Sequence, residues 1–364
     1  MPTHRAVAPA LAALGLCGLS VSAFAADMPV KAPPTAAITY RDGYYIWVDG
    51  SYQSVRLPTF DLGWRTASPA LVVTNGGTAF ESYDPRATGA GVSGAVGHIF
   101  RDGTFPAAFG SNVRLELGAS YIHAAVTQAA SSPTPKAGFI VTLDGLNPAA
   151  AGGGFTSSST LSTDFAAWQV NLKAASDFRF GTVTATPSFA VFAGHARNQQ
   201  NFLQAIDGIV FTPASYQADV RTRWTDFGAR LGLDAKLEVT PSAALGLGGY
   251  IGLAGRHASL SASDVSILQS PGPFGGTIIN TSSIAADADT TPFLANAEAS
   301  LTLKPWSRVT LRGFVGLNYD SRVPGIAAPF VNGPCCAGAI PAGIKFEQET
   351  SYYAGGGATV KFSP

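Results

Sequence analysis

The chain of 364 residues carries 23 basic and 23 acidic side chains, so its formal net charge is zero, and only 13% of its residues are charged at a mean hydropathy of +0.19. Soluble domains usually carry roughly a quarter, and balanced signs argue against a nucleic-acid partner. Beyond residue 25 no run of about eighteen apolar residues occurs, which excludes bilayer-spanning helices and leaves strands as the element able to cross a membrane.

Residues 1–25 read as an export signal: His4 and Arg5 form a basic start, Ala6 to Leu19 an apolar stretch, and Ala23-Phe24-Ala25 a small-x-small cleavage site. Cleavage is expected after Ala25. The stretch is Ala-rich and weakly flanked, which disfavours a retained anchor. Leu16 stands before Cys17 where a lipoprotein signal needs a small residue, so Cys17 is expected to leave with the leader. Residues 26–42 are Pro-rich without periodicity and read as an extended periplasmic tether. Its start, Ala26-Asp27-Met28-Pro29-Val30-Lys31-Ala32-Pro33, resembles the mature N-terminus of porin-like outer-membrane β-barrels of α-proteobacterial type. That resemblance implies a Gram-negative cell envelope and a transmembrane barrel; beyond the tether it is one of pattern, Gly-rich alternating hairpins.

From Gly43 onward the chain reads as one all-β domain, 43–364, a transmembrane antiparallel up-and-down barrel. In Val113 to Tyr121 every odd residue is apolar and every even one polar or small, and Phe227 to Val239 split the same way with a charged polar set. Helical spacing would not segregate these residues. Leu245, Leu247, Ile251 and Leu253 alternate with Gly and Tyr250, and Val309, Leu311, Val315 and Leu317 with polar residues. Ten strands are predicted, with twelve as the alternative: 43–56, 89–101, 111–127, 160–178, 181–197, 219–239, 243–258, 293–304, 307–320 and 349–362. Pro187 interrupts the fifth and predicts a bulge.

The connections alternate. Short ones near residues 101–110, 178–181, 239–243 and 304–308 carry Gly or Pro and suit periplasmic turns; 57–88, 128–159, 198–218, 259–292 and 321–348 are long and are expected to be extracellular loops. Tyr44, Phe100, Phe178, Phe180, Trp306 and Phe362 fall at one rim, and Tyr52, Tyr121, Trp224 and Tyr319 at the other, as interfacial girdles. The end, Tyr352 to Phe362, resembles the terminal strand by which barrel assembly machinery recognises its clients, although Ser363-Pro364 follow the aromatic.

By parity the lumen receives Asp49, Arg114, Glu116, Lys173, Asp226, Arg230, Asp234, Lys236, Arg256, Glu298, Arg308 and Arg312, with Asp177, Glu238, Lys304 and Lys361 beside them. One reading of this balanced set is an ion-pair network that stiffens the interior; the other is a hydrated passage, with inward glycines such as Gly248 and Gly357 leaving space. The function expected first is a narrow, weakly selective porin-like channel, and the alternative is a structural or adhesive surface protein acting through its loops.

No enzyme motif surrounds His123, His195 or His257, and catalysis, a cofactor and a metal are not expected. Asp287 and Asp289 alone make a poor cation site. Partners are expected to be outer-membrane lipid and lipopolysaccharide, with Arg197 and Arg256 contacting phosphate. Cys335 and Cys336 read either as two loop thiols or as a labile vicinal disulfide.

Overall fold

The computed structural model describes residues 43–66, 79–101, 103–145, 149–208, 212–269, 276–330 and 340–362. The leader, the tether and the Cys335–Cys336 pair lie outside the described residues. Twelve strands form one antiparallel sheet: β1 (Gly43–Arg56), β2 (Trp64–Thr66), β3 (Arg86–Ile99), β4 (Ser111–Ile140), β5 (Ala149–Phe180), β6 (Val183–Gly208), β7 (Thr212–Thr240), β8 (Ala243–Gln269), β9 (Thr277–Thr290), β10 (Phe293–Trp306), β11 (Val309–Ala327) and β12 (Gly343–Phe362).

Ten of these strands close into a ring, because β10 pairs with both β11 and the lower half of β8, and β1 pairs with β12. The short β2 pairs with the upper end of β4, and β9 pairs with the upper half of β8. Following partners around the ring from Arg256 through Asp226, Gly194, Gln169, Ser120, Ser93, Asp49, Gly357, Arg312 and Thr302 returns to β8 at Ala244, a stagger of 12 residues (256 minus 244). With ~3.3 Å per residue and ~4.8 Å between strands, that stagger gives a tilt of about 40° and a backbone radius of about 10 Å. Opposing side chains therefore nearly meet across the lumen.

The outer wall carries a lipid-compatible belt. On β7 the odd residues Phe227, Leu231, Leu233, Leu237 and Val239 are exposed, and Leu245, Leu247, Ile251 and Leu253 do the same on β8. At the tilt above, the stretch from Phe227 to Val239 is about 30 Å tall, the thickness of a bilayer core.

Above this belt the two faces exchange character. On β7 the even residues Trp224, Val220, Ala218 and Tyr216 are buried, while Thr225, Arg223 and Arg221 point outward; on β8 Ala258, Leu260 and Ala262 are inside and His257, Ser259 and Ser261 outside. The strands thus continue past the bilayer as a head with its own dry core. One buried cluster gathers Val55, Leu57, Phe165, Ala196, Trp224 and Ala258, and a second, larger one gathers Phe60, Leu62, Trp64, Phe202, Tyr216 and Ile326 among others.

Several expectations change. Segments 128–159, 198–218, 259–292 and 321–348, read as loops, are in large part strand: β4 and β5 run on to Ile140 and from Ala149, β6 and β7 to Gly208 and from Thr212, and β9 lies within 259–292. The described parts of segment 57–88, residues 57–66 and 79–88, include β2 and contribute Phe60, Leu62, Trp64, Phe80 and Tyr83 to the larger head cluster. Trp224 is 6% exposed and inward, so it does not belong to the girdle; Trp168, 48% exposed, takes an outward position on β5. Pro187 stays in register opposite Leu233, and the β5–β6 ladder resumes around it without a register shift, so no bulge forms. Arg308 lies in the exposed turn between β10 and β11 rather than on the wall.

Candidate functional site

Within the belt the lumen is a ladder of charge pairs. Arg114 lies 2.8 Å from Asp177 and 3.4 Å from Glu116, and Asp177 also accepts hydrogen bonds from Asn112 and Thr186. The hydroxyl of Tyr45 donates to Glu116 at 2.5 Å. One level up, Arg312 bridges Asp49 at 3.2 Å and Glu298, and Tyr353 donates to Glu298 at 3.1 Å. Lys173 and Asp234 approach to 4.0 Å, and Arg230 is held between the rings of Phe192 (4.0 Å) and Tyr250 (4.6 Å). At the lower end Glu238 meets Lys304 and Arg179. Inward glycines are occupied space: a Cβ on Gly248 or Gly357 would overlap Asp234 or Asp49, so each glycine makes room for a carboxylate.

Between these pairs remain adjoining polar cavities. One of about 540 Å³ is lined by Asp49, Glu116, Lys173, Asp234, Lys236 and Arg312 among others, and one of about 390 Å³ below it shares Arg114, Lys236 and Arg312. A third, of about 360 Å³, lies between the charge ladder and the head and is lined by Asp226, Arg230, Arg256, Trp224 and Glu349.

Arg256 forms the ceiling of that space. It is 3% exposed, donates to both oxygens of Asp226 through Nε and Nη2 at 2.7 Å, reaches Asp320 at 2.7 Å, and donates through Nη1 to the Arg322 carbonyl at 2.6 Å. Sequestered inside, it is not the lipid contact expected of it. Glu349, 5% exposed, faces the same cavity; Arg56 stands 3.2 Å away but commits its fork to Asp84, and Glu349 Oε2 accepts no hydrogen bond. Burial therefore pushes its pKa up to about 7, more than the nearby Arg56 can offset.

The head above is pinned by polar bonds as well as by packing. Trp64 N–H donates to Gln204 Oε1 at 2.9 Å; Gln204 Nε2 and Ser157 donate to Glu81; Tyr83 and Ser159 share a hydrogen bond of 2.7 Å. Asp264 accepts from Leu143 N–H, Tyr216 and Ser282. Burial raises the Asp264 pKa despite these donors, and burial beside Asp264 raises that of Tyr216. Thr59 is tied to Glu347 and Lys345 of β12. Gly63 turns the chain at φ +96°, where a Cβ would strike Gln204 and Phe202. The sequence signal for this head is the alternation of Phe60, Leu62 and Trp64, which lies outside the ten strands expected from parity.

On the outer wall, His123 bonds Asp164 at 2.9 Å, His195 bonds Thr225 at 3.3 Å and His257 bonds Asp289 at 2.8 Å. All three pairs face outward, two strands apart around the barrel. Asp289 is thereby engaged, and among the described residues no cluster of three His, Cys, Asp or Glu forms a metal-ligand set.

No protein-family model matches the chain, and no curated protein matches it in sequence. Among solved structures it is similar to the outer membrane protease OmpT from Escherichia coli, with 12% identity, 89% of this chain and 98% of that one covered, and a TM-score of 0.42. The P. putida toluene transporter TodX (10% identity, 89% and 91% covered, TM-score 0.26) and an anion-selective porin from Comamonas acidovorans (10%, 88% and 99%, TM-score 0.18) are also similar. Likeness at this level transfers no activity.

Proposed function

We propose that the protein is an outer-membrane β-barrel closed to solutes at rest, acting in a structural or adhesive role through its extracellular head. The observation that carries this reading is the dry core above the bilayer. Phe60, Trp64, Phe202 and Tyr216 fill the upper barrel at 1% exposure or less, above the smaller cluster of Leu57, Trp224 and Ala258 that adjoins the Arg256 ceiling. Such packing excludes water, and the walls that surround it are largely polar outside, with Leu203, Ile278 and Ile279 as exposed apolar exceptions. Export by a leader cleaved after Ala25, and hand-over to the assembly machinery through β12, belong to the same proposal and are supported by the sequence at each end.

A porin-like passage is the second reading, favoured by the adjoining polar cavities below Arg256. It requires the head core to open. Planar-bilayer recording from folded protein distinguishes the two: the closed barrel is expected to give current at the lipid background, with conductance steps only after residues 58–84 are replaced by a short linker. Sustained steps from the intact chain would overturn closure. Exchanging the head segments one at a time while measuring surface attachment tests the adhesive role.

A further inference from the structure

We propose that Arg197 on β6 and Arg223 on β7 form a binding site for a lipid-borne phosphate monoester at the outer rim of the belt, an inference that rests on the membrane reading above. The two residues are direct cross-strand partners, and both side chains are exposed on the outer face. Opposed partners on one face have Cβ atoms about 5 Å apart, and like charges there destabilise a sheet. The usual remedy is an acid on an adjoining strand; the nearest acids on β5 and β7 are engaged elsewhere, and Asp287, exposed on β9, stands two strands from Arg223 with Ser259 between them. Asp164 is held by His123, and Asp219 lies 3.2 Å from Arg221. Among the described residues neither Arg197 nor Arg223 has an ion-pair partner. Arg221, diagonal to Arg197 across the same strand pair, adds to the positive field.

Position supplies the second part. Two rows below the arginines, partners Ala193 and Phe227 lie on the belt, with Phe227 70% exposed, and Trp168 stands beside His195. Long arginine stems can lie along the wall with their heads at the interface. An anion bridging the two guanidinium forks removes the repulsion and makes several charge-assisted hydrogen bonds. A lipid carries that anion at this height and lays its acyl chain over Trp168 and Phe227. The cradle is therefore cationic above and apolar below, matching the polarity of one phospholipid.

The test uses the full chain folded in neutral detergent, with short-chain phosphatidic acid, phosphatidylcholine and inorganic phosphate as separate probes. Binding is read by native mass spectrometry and by the midpoint of the heat-dependent gel shift. Phosphatidic acid is expected to remain bound and raise the midpoint, with phosphatidylcholine and inorganic phosphate having little effect. Arg223→Glu gives Arg197 a direct ion-pair partner, so this variant is expected to fold at least as stably while its affinity for phosphatidic acid falls about tenfold or more. Arg197→Gln is expected to lose the same affinity without the added charge pair. Equal affinity in wild type and both variants, or a full shift from inorganic phosphate, would overturn the lipid site. Failure of the membrane reading shows separately, as wild-type protein that does not float with phosphatidylcholine vesicles.

Discussion

Phe202 ties the segment after β1 to the head wall: it is 1% exposed and its ring centroid lies 5.2 Å from Phe60, 6.0 Å from Tyr83 and 6.1 Å from Tyr216. Phe202→Ala removes one ring from each of these pairs and leaves a cavity in packed surroundings, a loss of about 3–5 kcal/mol. Were that loss confined to releasing residues 57–66, the open fraction would rise by about a hundredfold or more. Arg65 reports the release, since it is 5% exposed, with its guanidinium bound to the Asp61 carbonyl. Limited trypsin digestion, with the fragment ending at Arg65 counted by mass spectrometry, follows the open population when reclosing outpaces cleavage. Phe227→Ala deletes the same ring from the belt, where it is 70% exposed, and is the matched control. Cleavage after Arg65 should accelerate by about two orders of magnitude in Phe202→Ala and stay unchanged in Phe227→Ala. Equal rates in wild type and Phe202→Ala would refute the packed head.

Other outcomes follow from the same geometry. Arg256→Met leaves the partly buried Asp226 and Asp320 without their counter-charge, a cost of about 3 kcal/mol readable as a lower urea midpoint, and a second change, Asp226→Asn, should recover part of it. Glu349 holds its proton more tightly folded, near pH 7, than unfolded, near 4.5, so its contribution is intact below about pH 4.5 and falls away as pH rises through 7. The difference is about 3 kcal/mol; Glu349→Gln should flatten the stability profile between those pH values, and an unchanged profile would contradict the buried, under-compensated carboxyl. Leu233→Lys, at mid-belt, should cost about 2–4 kcal/mol in lipid vesicles. The equivalent change at Ser261, outside the bilayer, should cost little.

The lower barrel was legible in the sequence because one rule holds throughout it. Leu231, Leu233 and Leu237 face lipid while Arg230, Asp234 and Lys236 face the lumen, so period-two parity finds both strand and orientation. The head was hidden because the rule changes sign without changing period. On β7 the apolar parity passes from odd at Phe227 to even at Trp224, and an alternation that slips phase looks like the end of a strand. The same switch puts Trp224, expected in the girdle, inside the wall, whereas Arg256 lies in the lumen as parity expects and is a buried ceiling there rather than a contact for lipid phosphate. Parity also assigns a wall but not a partner: that Arg312 bridges Asp49 and Glu298 depends on strand register, which sets Arg312 opposite Gly357 and Gly357 opposite Asp49, with Glu298 on the adjoining β10. Arg308, expected on the lumen wall, lies in the turn because β11 begins at Val309 rather than at residue 307.

The exchange of faces along one strand is the most direct thing to measure. In a background with Cys17, Cys335 and Cys336 changed to Ser, single cysteines at positions 214–240 can be spin-labelled in lipid vesicles, and access to oxygen and to a water-soluble nickel complex compared. Odd positions from 227 to 239 should be open to oxygen and odd positions from 215 to 225 to nickel, with even positions 216–224 closed to both. Nickel access at 216, 218 and 220, or oxygen access at odd positions along the whole strand, would contradict a dry head standing above the bilayer.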